Sequence, residues 1–98
     1  MKNHNYYIYI LSNKRNGTLY IGVTNGLFKR IFQHRIKNNK NSFTSKYEIN
    51  KLVYYEKYQY ISSAIHREKC LKKWRRKWKL NLINNFNPKW DDLFIEMM

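Results

Sequence analysis

The sequence predicts an α+β fold, a small three-stranded antiparallel sheet flanked by helices, with elements in the order ββαβαα. Two runs rich in β-branched and aromatic residues lie on either side of a turn-forming segment near the N-terminus. A third such run follows a polar loop, and the remaining segments space their apolar residues as helices do. The 98 residues contain no repeat and no linker, so we expect one domain spanning residues 1–98.

The first two strands are predicted to form a hairpin. The segment Tyr6–Ser12 has no strand breaker, Thr18–Val23 is a second β-rich run, and Asn13–Gly17 supplies Asn and Gly for the turn. Side chains alternate along a strand, so any loop with an even number of residues places Tyr9 and Tyr20 on one face. A four-residue loop would place these two tyrosines directly opposite each other.

A helix is predicted over Leu27–Lys37, with Thr24 or Asn25 as its cap. We expect its apolar residues to share the side that packs on the sheet, with Arg30 and His34 on the opposite, polar side. The apolar set is Leu27, Phe28, Ile31, Phe32 and Ile36, and the polar set is Lys29, Arg30, Gln33, His34 and Lys37.

The second half of the chain supplies the third strand and two more helices. The strand is predicted at Lys51–Tyr58, and the first helix at Ala64–Trp74 after a cap at Ser62 or Ser63. A further helix follows a bend and covers Arg75–Phe86. Pro88 cannot extend a helix, which ends this element.

Positive charge dominates the composition. Twenty Lys and Arg against six Asp and Glu give a net charge of +14, which predicts a polyanionic partner, most simply nucleic acid. A solvated Lys-rich surface and an anionic membrane surface are the alternatives. The longest apolar run, Tyr6–Leu11, is far shorter than the roughly 20 residues of a membrane span, so we expect no membrane association. The single cysteine, Cys70, excludes an internal disulfide and favours a reducing, cytoplasmic location.

Two residues stand out as unusual for their elements. Gly22 lies inside a strand, where a glycine packs nothing and often marks close approach by another backbone or a ligand. Glu68 falls within the apolar arc of the second helix, where an unpaired carboxylate would be costly. It is either half of a structural ion pair with an arginine or a metal ligand, because Mg²⁺ is often held by one or two carboxylates with waters and phosphate oxygens. Tyr9 and Tyr20 are either a packing pair or part of a site.

Other candidates carry weaker signals. His66 and Cys70 are four residues apart, but zinc needs three or four protein ligands and the chain offers no such set. Trp74 and Trp78 fit core packing better than base stacking, although the basic residues around them could contact phosphates.

The segments YIY (Tyr7–Tyr9) and YIG (Tyr20–Gly22), together with Arg30, His34 and Glu68, resemble the GIY-YIG nuclease superfamily. The resemblance covers essentially the whole chain and is closest to the small stand-alone bacterial branch. One departure is Tyr7, which stands where the first motif of the family has a glycine.

The resemblance implies a phosphodiesterase that cuts DNA with one divalent metal, Mg²⁺ or Mn²⁺. Tyr20 would activate or orient the attacking water, with Tyr9 as its partner. Arg30 would hold the scissile phosphate, His34 would assist proton transfer, and Glu68 would hold the metal.

The predicted function is therefore a metal-dependent DNA nuclease, structure-selective rather than sequence-selective, with a role in DNA repair or processing. The alternative is a catalytically weak basic module that binds nucleic acid. The preferred substrate is expected to be single-stranded or irregular DNA, because exposed tyrosines can stack on unpaired bases. The candidate DNA-binding residues are Lys29, Arg30, Lys37, Arg75 and Arg76, and the supporting residues are Gly22 and Asn87, the latter preferred over Asn81, Asn84 and Asn85.

Overall fold

The β-rich runs form the sheet that the sequence predicts. The computed structural model describes residues 5–36 and 48–98. Strands β1 (Tyr6–Ser12), β2 (Leu19–Thr24) and β3 (Lys51–Tyr58) pair antiparallel in the order β2-β1-β3, so β1 is the central strand. The predicted three-stranded antiparallel sheet is confirmed.

The helices lie where the apolar spacing predicts them, with small shifts at their ends. They are α1 (Leu27–Arg35), α2 (Ile61–Lys73), α3 (Arg76–Phe86) and a short α4 (Leu93–Glu96). The last of these was not expected, because a single turn is too short to show helical periodicity. Among the described residues, no helix has the length and apolar character needed to cross a bilayer.

The predicted helix caps are wrong. Gly26 is the residue before α1 and Tyr60 the residue before α2, and neither helix has a hydrogen bond from a capping side chain. The hydroxyl of Thr24 instead accepts a hydrogen bond from the backbone N–H of Gly26 at 3.1 Å, which stabilises the turn between β2 and α1.

The central strand contributes to a core on each face of the sheet. Ile8 and Ile10 face α2 and α3, in a cluster that includes Trp90. Tyr9 and Leu11 face the other way, towards α1 and α4, in a cluster with Leu27, Ile31 and Phe94. The sheet is therefore the middle layer of the fold, with helices on both sides.

The hairpin loop is longer than a four-residue turn. Ser12 pairs with Leu19, so the loop covers residues 13–18, and Tyr9 lies opposite Gly22 rather than opposite Tyr20. The side chain of Asn13 accepts a hydrogen bond from the N–H of Thr18 at 3.0 Å, which closes the wider loop. The residue count is still even, so Tyr9 and Tyr20 share a face as the alternation argument predicts.

Helix α1 is rotated relative to the prediction. Leu27 and Ile31 are buried, but Phe28 and Phe32 are 44% and 48% exposed. His34 lies on the same side as Leu27 and Ile31, because positions i, i+4 and i+7 form one stripe of a helix. The expectation that His34 faces away from the packed side is therefore wrong, and the exposed phenylalanines stack on one another instead.

Candidate active site

Three rings from separate elements meet on the α1 side of the sheet. They are Tyr9 from β1, Tyr20 from β2 and His34 from α1. The ring centroids are 6.3 Å apart for Tyr9 and Tyr20, 6.1 Å for Tyr9 and His34, and 5.7 Å for Tyr20 and His34. The hydroxyl of Tyr9 lies 3.4 Å from Nε2 of His34. The strand alternation and the stripe on α1 together bring these polar groups to one place.

Gly22 makes room for the Tyr9 ring. A β-carbon at residue 22 would lie 2.5 Å from the Tyr9 hydroxyl oxygen and 2.6 Å from the carbon that bears it. The backbone of Gly22 does not have a positive φ, so the glycine is needed for space and not for conformation. The close approach that the sequence predicts at this glycine is made by a side chain of the protein itself.

Burial and charge perturb the acid–base behaviour of this cluster. Burial raises the pKa of the Tyr9 hydroxyl well above its ordinary value, the neighbouring Tyr20 adds to the rise, and Arg30 opposes it. Burial also lowers the pKa of His34 below 6.5, and the positive charge of Arg30 lowers it further. Near neutral pH, Tyr9 is therefore a protonated phenol and His34 a neutral imidazole.

Arg30 is the cation of the site. It lies one helical turn before His34 on α1 and is exposed, so its guanidinium can meet a ligand from solvent. Its effects on the pKa values of Tyr9 and His34 place its charge beside both rings. Lys29 is also exposed on α1, whereas Lys37 lies outside the described residues.

Glu68 approaches the cluster from α2. Its side chain is 15% exposed, and its charge contributes to the raised pKa of Tyr9. Lys72, one turn later on the same helix, lies 3.4 Å from its carboxylate. Within the part of the chain that the structure describes, Glu68 is therefore paired with a lysine and not with an arginine, and Arg67 pairs with Glu56. The i, i+4 spacing of Glu68 and Lys72 on one helix is the sequence signal that predicts this ion pair.

The site offers one carboxylate, that of Glu68, to a hard divalent cation. The remaining oxygen ligands would have to come from water and from a substrate. Within residues 5–36 and 48–98, no group of three or more His, Cys, Asp and Glu could hold a metal ion. A single carboxylate is nevertheless a common protein contribution to Mg²⁺ or Mn²⁺, which retain waters and bind phosphate oxygens. Glu68, whose side chain is 15% exposed and whose charge acts on Tyr9, fits that pattern.

The remaining basic candidates divide into two kinds. Arg76 donates hydrogen bonds to the backbone carbonyls of Asn16 and Gly17, both at 2.6 Å, and so fixes α3 to the hairpin loop. Arg75 is exposed, and its guanidinium lies 5.6 Å from the ring centroid of Trp78. Trp78 is 50% exposed, so the expectation that it packs in the core is wrong.

Asn87 lies in the loop after α3, and its amide is fully used there. Its Nδ2 donates to the carbonyls of Val53 at 3.2 Å and Asp91 at 2.9 Å, and its Oδ1 accepts from the N–H of Asp91 at 3.1 Å. These bonds tie the loop to β3, so Asn87 holds structure together and is not brought to the tyrosine cluster. His66 and Cys70 form an exposed pair, with Sγ 3.6 Å from Nε2.

Comparison with known proteins gives one family and two relatives. Residues 5–81 match the GIY-YIG catalytic domain, which confirms the resemblance seen in the sequence. A UPF0213 protein of Bacillus pumilus is 33% identical over 98 residues, covering 100% of this chain and 86% of that protein. A UPF0213 protein of Clostridium perfringens is 40% identical over 83 residues, covering 81% of this chain and 83% of that protein. No solved structure matched the chain. The matched range includes every proposed catalytic residue and stops before Asn87.

Proposed function

Since the chain belongs to the GIY-YIG catalytic domain family, we propose that it hydrolyses phosphodiester bonds in DNA with the help of Mg²⁺ or Mn²⁺. Membership implies nuclease-type activity and a nucleic-acid substrate, and nucleases of this family generally use divalent metal ions. The identity of the ion and of the substrate is our proposal.

The observation that carries this proposal is the meeting of Tyr9, Tyr20 and His34 beside the charges of Arg30 and Glu68. These groups come from two strands and two helices, and only the tertiary fold brings them together. A core built only for stability would not place an imidazole and two phenols around a cation.

The proton chemistry can be assigned from the pKa directions. With its raised pKa, Tyr9 keeps its proton and acts as a hydrogen-bond donor, so it is unsuited to be the base. The neutral imidazole of His34 can accept a proton, and we assign it that role, with Tyr20 orienting the attacking water. The water oxygen forms a bond to phosphorus and its proton passes to His34. The bond from phosphorus to one sugar oxygen breaks, and that oxygen takes a proton from solvent.

We assign stabilisation of the negative charge on the phosphate to Arg30 and to a metal held by Glu68. The guanidinium of Arg30 would contact the phosphate oxygens on which negative charge develops. Glu68 would hold the metal, which when bound supplies positive charge to the phosphate. Lys72 competes with a metal for Glu68, which supports the alternative of a catalytically weak nucleic-acid-binding module.

The substrate that we propose is single-stranded or irregular DNA, recognised by shape more than by sequence. The described helices α1, α2 and α3 all pack on the sheet, so none of them is free to read base edges in a groove. Such a specificity suits DNA repair or processing.

The test is cleavage of labelled single-stranded, duplex and flapped DNA with Mg²⁺ and with excess EDTA. We expect cutting only with the metal, and its loss in Glu68→Gln, while DNA binding is retained. Glu96→Gln is the matched control, because Glu96 is an exposed glutamate on α4. Metal-independent cutting, or wild-type turnover in Glu68→Gln, would contradict the mechanism. Binding without any cutting would favour the alternative.

A further inference from the structure

An exposed tryptophan on a basic part of the surface has no role in the chemistry above. Trp78 lies on α3, half exposed, with its ring centroid 6.0 Å from that of Trp74 and nearly perpendicular to it. An indole exposed to this extent presents a flat apolar ring to solvent, on which another flat ring can stack.

Trp74 contacts the ring of Trp78 edge-on and the Arg75 guanidinium lies over one of its faces, while half of the side chain stays exposed. Trp74 packs against the core, and the guanidinium of Arg67 lies 5.0 Å from its ring centroid. Arg67 is itself fixed by two hydrogen bonds of 3.1 Å to the carboxylate of Glu56. The edge contact with the immobilised Trp74 therefore orients Trp78, and its exposed surface is available before any ligand arrives.

The charged residues that flank Trp78 in the sequence are of one sign. Residues 69–90 contain eight lysines and arginines and no acidic residue. Lys72, Arg75 and Lys77 are exposed, and Arg75 lies beside the indole. A surface that pairs an aromatic face with cations is complementary to a nucleic-acid strand, which offers base faces and phosphates. It is a poor match for an apolar protein partner.

This basic surface is continuous with the candidate active site. Lys72 reaches the carboxylate of Glu68 at 3.4 Å, and the ammonium group of Lys79 on α3 donates to the backbone carbonyl of Lys72 at 3.4 Å. The bend between α2 and α3 thus connects the metal-binding candidate to the helix that carries Trp78.

We propose that Trp78 stacks on a base of single-stranded DNA, and that Lys72, Arg75 and Lys77 contact the phosphates of the same strand. The proposal rests on the nucleic-acid substrate of the proposed function and adds a second contact surface on α3. An unpaired base can present its face to the indole, whereas the bases of a perfect duplex are already stacked on each other. Trp78 therefore favours unpaired segments.

The test measures binding without cleavage. A fluorescein-labelled oligothymidylate is titrated with protein in EDTA, and the dissociation constant is read from anisotropy. Loss of one stacked base corresponds to weakening by roughly 5- to 150-fold. We expect that range for Trp78→Leu, with most of the affinity kept in Trp78→Phe. The matched control is Phe86→Leu. Phe86 lies on the same helix and is 48% exposed, but its ring packs against Tyr54 and Tyr55.

A strand of the same length made of abasic sites separates stacking from charge. Wild type and Trp78→Leu should bind the abasic strand equally, whereas Arg75→Gln should reduce the salt dependence of binding to either strand by about one phosphate contact. Should Trp78→Leu fail to fold by circular dichroism, Trp78→Gln replaces it as the variant without an aromatic ring, and the same weakening is expected on oligothymidylate but not on the abasic strand. Equal affinity of all Trp78 variants for oligothymidylate overturns the proposal, even if the protein cuts DNA. Trp78-dependent binding without cutting supports it and refutes the nuclease assignment alone.

Discussion

At the scale of single residues, the missing side chain of Gly22 leaves the space that the Tyr9 phenol occupies. In Gly22→Ala the new methyl group would overlap the Tyr9 ring, and we expect a loss of about 1–3 kcal/mol of unfolding free energy together with loss of cleavage. Urea denaturation and the cleavage assay measure the two effects. Gly26→Ala is the control, because a β-carbon there meets its nearest neighbour at 3.9 Å, and it should be tolerated. Equal stability and activity for both variants would show that Tyr9 can move aside.

The lowered pKa of His34 has a second consequence, for the pH dependence of the protein. In the window below 6.5 and above the folded-state pKa, the unfolded protein binds more protons than the folded one. Unfolding free energy should therefore rise with pH through this window and be lost on acidification. If His34 is the base, kcat/KM for cleavage, which reports the protein free of DNA, should rise with pH with a midpoint below 6.5 and stay level above it.

The control for the pH experiment is the exposed His66. His66→Gln should keep the midpoint of cleavage, and His34→Gln should abolish both the midpoint and most of the activity. A midpoint above 6.5 that survives in His34→Gln would assign the base to another group.

At the scale of elements, α3 is attached to the β1–β2 loop by one arginine. Arg76 donates to two backbone carbonyls of that loop, and charged hydrogen bonds of this kind contribute about 1.5–3 kcal/mol. Arg76→Ala should lower the unfolding free energy by about that amount in urea denaturation. Its neighbour Arg75 is exposed, and Arg75→Ala should change stability by less than about 0.5 kcal/mol. A reversal of these two results would mean that Arg76 is free to contact DNA.

The elements themselves were predictable because their signals are local. The β-branched and aromatic content of Tyr6–Ser12 and the helical spacing after Ile61 do not depend on distant residues. The loop between β1 and β2 was not predictable in length, since the pairing of Ser12 with Leu19 depends on the Asn13 side chain and on contact with Arg76, 60 residues from Asn16.

The prediction of which side of α1 packs on the sheet was wrong for a different physical reason. Apolar residues were assigned to the packed side of the helix, but the packed side also had to carry His34 to the tyrosines. Phe28 instead stacks on Phe94 of α4, with centroids 4.9 Å apart, and that helix was not foreseen. The site residues could be named from motif spacing, whereas their directions required the fold.

At the scale of the whole molecule, the net charge of +14 should control affinity for DNA. Each neutralised phosphate releases counterions, so the logarithm of the association constant should fall linearly and steeply with the logarithm of salt concentration. Anisotropy titrations at several NaCl concentrations measure the slope. A methylphosphonate strand, which lacks the backbone charge, serves as control and should show little dependence. Salt-insensitive binding of normal DNA would contradict the prediction that lysine and arginine contacts to phosphates dominate the affinity.

The buried Trp90 determines how much of the chain must be synthesised before the protein can fold. This residue is fully buried in the same cluster as Ile8 and Ile10, and its ring N–H donates to Asn84 at 2.6 Å. Removing a buried indole costs about 3–5 kcal/mol, a large part of the stability of a small domain. Ribosomes add about 5–20 residues per second, so Glu68 is made at least about one second before Trp90. A nascent chain thus carries every proposed catalytic residue while its core is still open, and we expect the proposed cutting activity to begin only after residue 90 has joined the fold.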